Sequence, residues 1–157
     1  MPHESIKTIS PATGEVVLER AGTSLEQARQ IVADSGKAFL KWKALDLSAR
    51  KSIVAAALAL IQQRKHELGR ELSTQMGRPV AYSHKEIETM QKRADYLLSI
   101  TEEALATIPG RDEQGFKRYI KKEPLGPTLV VFAWNVSHLI YAVLRLSMLI
   151  TVSSFPT

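Results

Sequence analysis

Few residues in this chain are of a type and spacing that could do chemistry. There is no cysteine among the 157 residues, so thiol nucleophiles, thiolate metal sites and disulfides are excluded within it. His66 and His84 show no metal-ligand spacing, and both read as surface residues of helices. Glu102-Glu103 reads as a solvated helix face rather than an acid/base pair, and His138 has no nucleophile beside it in sequence. No Gly-rich phosphate loop of the dinucleotide or P-loop type occurs. That leaves Trp134-Asn135, directly after the apolar run Thr128-Leu129-Val130-Val131-Phe132-Ala133. On residue type alone, Trp134 suits packing and Asn135 suits a turn after a strand.

The elements that would position these residues follow from patterning. Ser10-Pro11-Ala12-Thr13-Gly14-Glu15 is a turn, with Val16-Val17-Leu18 continuing as a short strand. Ser24 with Gln27 fits a capping box, and Leu25, Ala28, Val32, Ser35, Phe39 and Trp42 then recur at helical spacing as an expected buried face. A second helix starts near Asp46 or Ser48, turns Leu47, Val54, Leu58, Ile61, Leu68, Leu72 and Met76 inward, and stops at Gly77. Gly69 marks the place where this helix is expected to be irregular. Pro79 opens a third helix, with Val80, Ile87, Ala94, Leu97, Leu98, Thr101 and Leu105 inward, which Pro109-Gly110 ends.

Phe116 to Glu123 then reads as a strand-like arm, its Lys117, Arg118, Lys121 and Lys122 guarding the edge against unwanted pairing. The apolar run Thr128 to Ala133 is a strand for the middle of a sheet covered on both sides, and it needs neighbours that this sequence does not supply. Three long helices plus a few strands therefore look like the beginning of an α/β domain.

Charge and hydropathy narrow the partners. The net charge of +5 is spread over amphipathic segments apart from the cluster Lys117 to Lys122. Neither zinc-finger spacing nor an aromatic stacking platform accompanies it, so no nucleic-acid partner is expected. Leu129 to Val152 is apolar but contains Asn135, His138 and Arg145. A central arginine alone costs about 2.5–3.5 kcal/mol on insertion scales, so a membrane-associated helical protein stands only as an alternative reading. The start, Met1-Pro2-His3-Glu4, lacks a secretory signal pattern, which makes a cytoplasmic setting the default.

Four segments resemble the aldehyde dehydrogenase superfamily, in the same order. Ser10 to Glu15 is similar to its Asn-Pro-Ala-Thr-Gly-Glu opening, and Phe39-Leu40-Lys41-Trp42 with Arg50 to its aromatic, two residues, Trp … Arg stretch. Glu71 to Pro79 resembles its Met-Gly-Lys/Arg-Pro helix end, with Glu86 beyond. Glu123-Pro124-Leu125-Gly126-Pro127, the apolar strand and Trp134-Asn135 resemble its Glu-Pro-Leu-Gly … Pro-Trp-Asn-Phe/Tyr-Pro signature, although Ala133 stands where that signature has Pro. The resemblance covers residues 10–135 and implies an incomplete aldehyde-dehydrogenase-type N-terminal, Rossmann-like domain. It implies that Asn135 matches the catalytic amide that donates to the thiohemiacetal oxyanion. Phe132, Ala133, Trp134 and Asn135 then match the strand end lining the nicotinamide of NAD or NADP. The implied substrate is a small-molecule aldehyde. The arm Phe116–Glu123 corresponds to a region of subunit contacts, implying a homo- or hetero-oligomer, and the alternative function is a non-catalytic interaction module associating with full-length relatives. The family's catalytic Cys and general-base Glu come later than anything in this sequence, so the chain is expected to be inactive alone.

Past Asn135 the resemblance stops: Val136-Ser137-His138 stands where Phe/Tyr-Pro is expected. Val-Ser is what a splice donor GTAAGT or GTGAGT encodes in frame, and bases encoding Ser154-Phe155-Pro156-Thr157 can read Phe-Pro-Tyr in another frame. The expected division is accordingly 1–135, a partial cofactor-binding domain, and 136–157, a divergent tail that reads as translated intron.

Overall fold

The computed structural model of the chain describes residues 5–129. Strands β1 (Ser5–Ile9) and β2 (Val16–Ala21) form an antiparallel hairpin, with Ser5 opposite Ala21 and an irregularity between Thr8 and Ile9. Helices α1 (Leu25–Ala44), α2 (Leu47–Gln63), α3 (Lys65–Met76) and α4 (Val80–Leu105) follow. A second antiparallel pair, β3 (Ile108–Pro109) and β4 (Tyr119–Ile120), closes the described part. Helices and strands together make it an α/β fragment.

Local signals set most helix starts. At α1 the capping box forms as expected: the Gln27 amide donates to Ser24 Oγ at 2.9 Å, and the Ser24 amide to Gln27 Oε1 at 2.8 Å. Asp46 caps α2 by accepting from the Ala49 amide at 2.7 Å. Two backbone hydrogen bonds define the first turn, Gly14 N to Ser10 O and Ser10 N to Glu15 O, both at 2.8 Å.

The expected second helix runs in two pieces. Its register breaks at Arg64, whose φ of −93° and ψ of 9° close α2 and open α3. The Arg64 guanidinium secures the new start by donating twice to Glu67, at 2.9 and 2.6 Å. Gly69, where irregularity was expected, lies inside a regular α3, and a Cβ there would meet His84 N at 3.1 Å and His84 Cα at 3.3 Å. The glycine lets α3 and α4 approach backbone to backbone.

Val54 and Leu58 of α2 and Ile87, Met90 and Ala94 of α4 form the core cluster, flanked by half-buried Leu47, Ile61, Leu68, Leu98 and Leu105. Burying such side chains is worth about 1.5–3 kcal/mol each. Met90 was missed by the inward pattern, while Val80, expected inside, is exposed. The expected face of α1 is covered only in part. Ser35 is buried and Ala28, Phe39 and Trp42 half-buried, but Leu25 and Val32 are 68% and 70% exposed. Among the described residues no element covers that end of the helix.

Helix α4 stops at Leu105, before the expected Pro109-Gly110, because Ile108–Pro109 is taken into β3. In the arm expected as a strand over Phe116–Glu123, only Tyr119–Ile120 is strand. The rest of the arm has no regular structure; a turn before it is closed by a Glu113–Phe116 bridge and tied by an Arg118–Glu113 ion pair at 2.5 Å. The interior strand expected at Thr128 to Ala133 lies, from residue 130 on, outside the described residues, and Thr128 and Leu129 are not in a strand.

Candidate active-site approach

Phe132, Ala133, Trp134 and Asn135 lie outside the described residues, as does the tail over 136–157. What the structure describes is the scaffold leading to them, and there the four separated motifs meet in pairs.

The first meeting joins the opening turn to the α3–α4 junction. Gly77 closes α3 in the left-handed conformation, φ 74° and ψ 15°, with its amide donating to Ser73 O at 2.8 Å. A left-handed residue turns the chain sharply and leaves room against the helix end. Pro11 fills that room, its Cγ 2.8 Å from where a Gly77 Cβ would stand. Next along the chain, the Arg78 guanidinium pairs with Glu86 in the second turn of α4. Glu86 is 4% exposed, and its Oε1 has no hydrogen-bond partner among the described residues. Ser73 Oγ donates to Gly69 O and Ser83 Oγ, both at 3.1 Å, bolting the two helices together.

The second meeting joins the end of α1 to the Glu-Pro-Leu-Gly segment. Glu123 accepts from Lys121 at 2.6 Å and from Lys43, just beyond Trp42, at 3.3 Å. Those ammonium groups, Lys121 first, hold the Glu123 carboxyl below its ordinary range, and Glu123 in turn raises Lys121. Lys122 Nζ donates to the Ala104 carbonyl at the end of α4. A cavity of about 540 Å³ opens beneath this strap, lined by Leu47, Arg50, Leu105 and Pro124 among others. Lys43 and Lys122 thus tie the segment 122–123 to the ends of α1 and α4.

Among the described residues no cluster of three or more His, Cys, Asp or Glu side chains is arranged to hold a metal ion, and no helix is long and apolar enough to cross a membrane. The apolar stretch Leu129 to Val152 lies almost wholly outside them. Sequence reading missed two arrangements: the tether from Lys43 to Glu123, and the approach of His66 to His84, whose ring centroids are 5.5 Å apart. Residues so far apart in sequence carry no local signal of either contact.

This scaffold is that of the aldehyde dehydrogenase family. The family model matches residues 1–151, and the chain belongs to that family. It is similar to a glutarate-semialdehyde dehydrogenase of Pseudomonas putida, 32% identical over 139 residues, covering 84% of this chain and 28% of that protein. An N-succinylglutamate 5-semialdehyde dehydrogenase of Burkholderia mallei is 37% identical over 86 residues, covering 55% of this chain and 18% of the relative. Among solved structures, a salicylaldehyde dehydrogenase from Pseudomonas putida, complexed with salicylaldehyde, superposes with a TM-score of 0.86 at 15% identity. That match covers 96% of this chain and 31% of that one. PnpE in complex with nicotinamide adenine dinucleotide gives 0.83 at 19% identity, covering 94% and 30%. The chain spans about a fifth to a third of the length of these relatives.

Proposed function

We propose that this chain carries the amino-terminal part of an NAD- or NADP-dependent aldehyde dehydrogenase, an oxidoreductase acting on small-molecule aldehydes, and that alone it does not turn over. The observation that carries the reading is the pairwise meeting of the four motifs: Pro11 against Gly77, and Lys43 on Glu123. Asn135 is the catalytic residue of the proposal. Its side-chain amide is a neutral donor for an oxyanion, a role worth about 2.7–4 kcal/mol in comparable sites. Phe132, Ala133 and Trp134 would line the nicotinamide with it, at the carboxyl end of a strand where open α/β sheets bind ligands. Hydride leaves the substrate only from a covalent adduct, which requires a thiolate, and the chain has no cysteine. With no phosphate-cradling glycine loop either, cofactor binding is not assigned to the chain by itself.

The proposed division is a cofactor-binding part over 1–135 and a tail over 136–157 read from an unspliced intron, in a cytoplasmic protein. Transcript reads joining the codon of Asn135 directly to Phe-Pro would support that boundary, and reads running evenly through the segment without a spliced form would remove it. The role of Asn135 is tested in a chimera of residues 1–135 followed by the remainder of the Pseudomonas putida relative. The chimera should oxidise aldehyde, and Asn135→Ala should lower kcat by about 10²–10³. A folded chimera indifferent to that substitution would refute the assignment.

A second reading concerns association. The β3–β4 hairpin leaves Phe116, Tyr119 and Ile120 54–65% exposed beside Lys117, Arg118 and Lys121. Exposed aromatic and apolar side chains ringed by charge suit a subunit contact, with a further copy or with a longer relative. Phe116→Ser with Ile120→Ser should abolish co-purification with that relative.

A further inference from the structure

His66 of α3 and His84 of α4 bring their rings to 5.5 Å between centroids, with 41° between the ring planes. The backbones beneath them are fixed, since Gly69 lets α3 approach the His84 backbone closely. His84 is half-buried and His66 exposed, so solvent reaches the pair. Glu88 lies one turn beyond His84 and accepts from Lys65 at 3.0 Å.

A ring nitrogen holds a zinc-like ion at about 2.0–2.1 Å, so two imidazoles sharing a tetrahedral ion have centroids roughly 5–5.5 Å apart. The observed separation falls at that distance. We propose that His66 and His84 form a two-imidazole clip for a divalent transition metal of the zinc or copper type, with water completing the coordination. Imidazole donors select such ions over magnesium or calcium. With two protein donors among the described residues, the site is an exchangeable one. A metal there ties α3 to α4 and, by binding only the folded pair, stabilises it.

Zinc chloride titrated into the whole chain, followed by calorimetry in a non-chelating buffer, tests this. One saturable site should appear. His66→Ala and His84→Ala should each weaken it by at least about tenfold, as loss of one of two ligating imidazoles requires. His3→Ala and His138→Ala should leave it unchanged. In the unaltered chain, zinc should shield His66 and His84 from diethylpyrocarbonate, read by peptide mass spectrometry, which needs no variant to fold. No saturable uptake, uptake insensitive to both substitutions, or unshielded histidines would overturn the proposal.

Discussion

Pro11 occupies the space that a side chain on Gly77 would need: its Cγ stands 2.8 Å from the position of the missing Cβ. The opening turn and the end of α3 are distant in sequence, yet each is shaped to the other. Gly77→Ala therefore meets two penalties, a left-handed φ of 74° and a steric conflict with a stiff proline ring. The expected loss is about 2–6 kcal/mol, from roughly 1–3 for the strained backbone and roughly 1–3 for the conflict. Gly36→Ala, mid-helix in α1 with nothing within 4 Å of the new Cβ, should stabilise by about 0.5–1 kcal/mol. Thermal or urea unfolding of the two variants should move in opposite directions.

Gly69→Ala pits propensity against packing. Alanine gains about 1 kcal/mol within a helix. Its methyl group would press on the backbone N and Cα of His84, which cannot swing aside. Forcing the helices apart costs about 1–3 kcal/mol, so the net effect should be a lower denaturation midpoint.

Arg78→Met should destabilise by about 3 kcal/mol, because it strands the buried Glu86 carboxylate, whose Oε1 has no partner among the described residues even in the intact pair. Adding Glu86→Met should recover most of the loss, since a buried ion pair is often no better than apolar side chains of similar size. Denaturant unfolding of the double-mutant cycle reads the coupling.

Asp34, Asp46, Glu67, Glu88, Glu102 and Glu123 all ionise below their ordinary values in the folded chain. The causes are hydrogen bonds from Gln30 and Lys37 to Asp34, the Ala49 amide and Ser48 to Asp46, Arg64 to Glu67, Lys65 to Glu88, Lys51 to Glu102, and Lys121 and Lys43 to Glu123. Depressed folded values favour the ionised form, so their contribution is complete above the ordinary 3.8 of Asp and 4.5 of Glu and is lost as pH falls through the lower folded values. The melting temperature should hold steady from neutrality to about pH 5 and decline below that. Glu102→Gln, which releases Lys51, should flatten the decline, and so should added salt, which screens exposed pairs.

The sequence was most legible where a signal is local. Ser24 and Gln27 announce their capping box within one turn, and Gly77-Arg78-Pro79 carries both the end of α3 and the start of α4. The break at Arg64 was hidden because Ile61, Leu68 and Leu72 keep an inward rhythm across it. Strand β1 was hidden too: Ser5-Ile6-Lys7-Thr8-Ile9 owes its conformation to pairing with β2 rather than to a buried face. Leu25 and Val32 were assigned to the core by periodicity, but a helical stripe is buried only where a neighbour covers it. The candidate site was legible through motif types rather than geometry. Contacts such as Lys43 with Glu123 depend on the folded path, which no spacing rule encodes.

Asn135, the proposed oxyanion donor, stands in a chain that contains no thiol to form the adduct. Incubating the purified chain with a semialdehyde and NAD or NADP, and following absorbance of the reduced nicotinamide, tests the proposal directly. No aldehyde-dependent reduction should occur at any chain concentration. Reduction that rises in proportion to the chain and falls on Asn135→Ala would contradict the account, because catalysis would then be proceeding without the cysteine on which it depends.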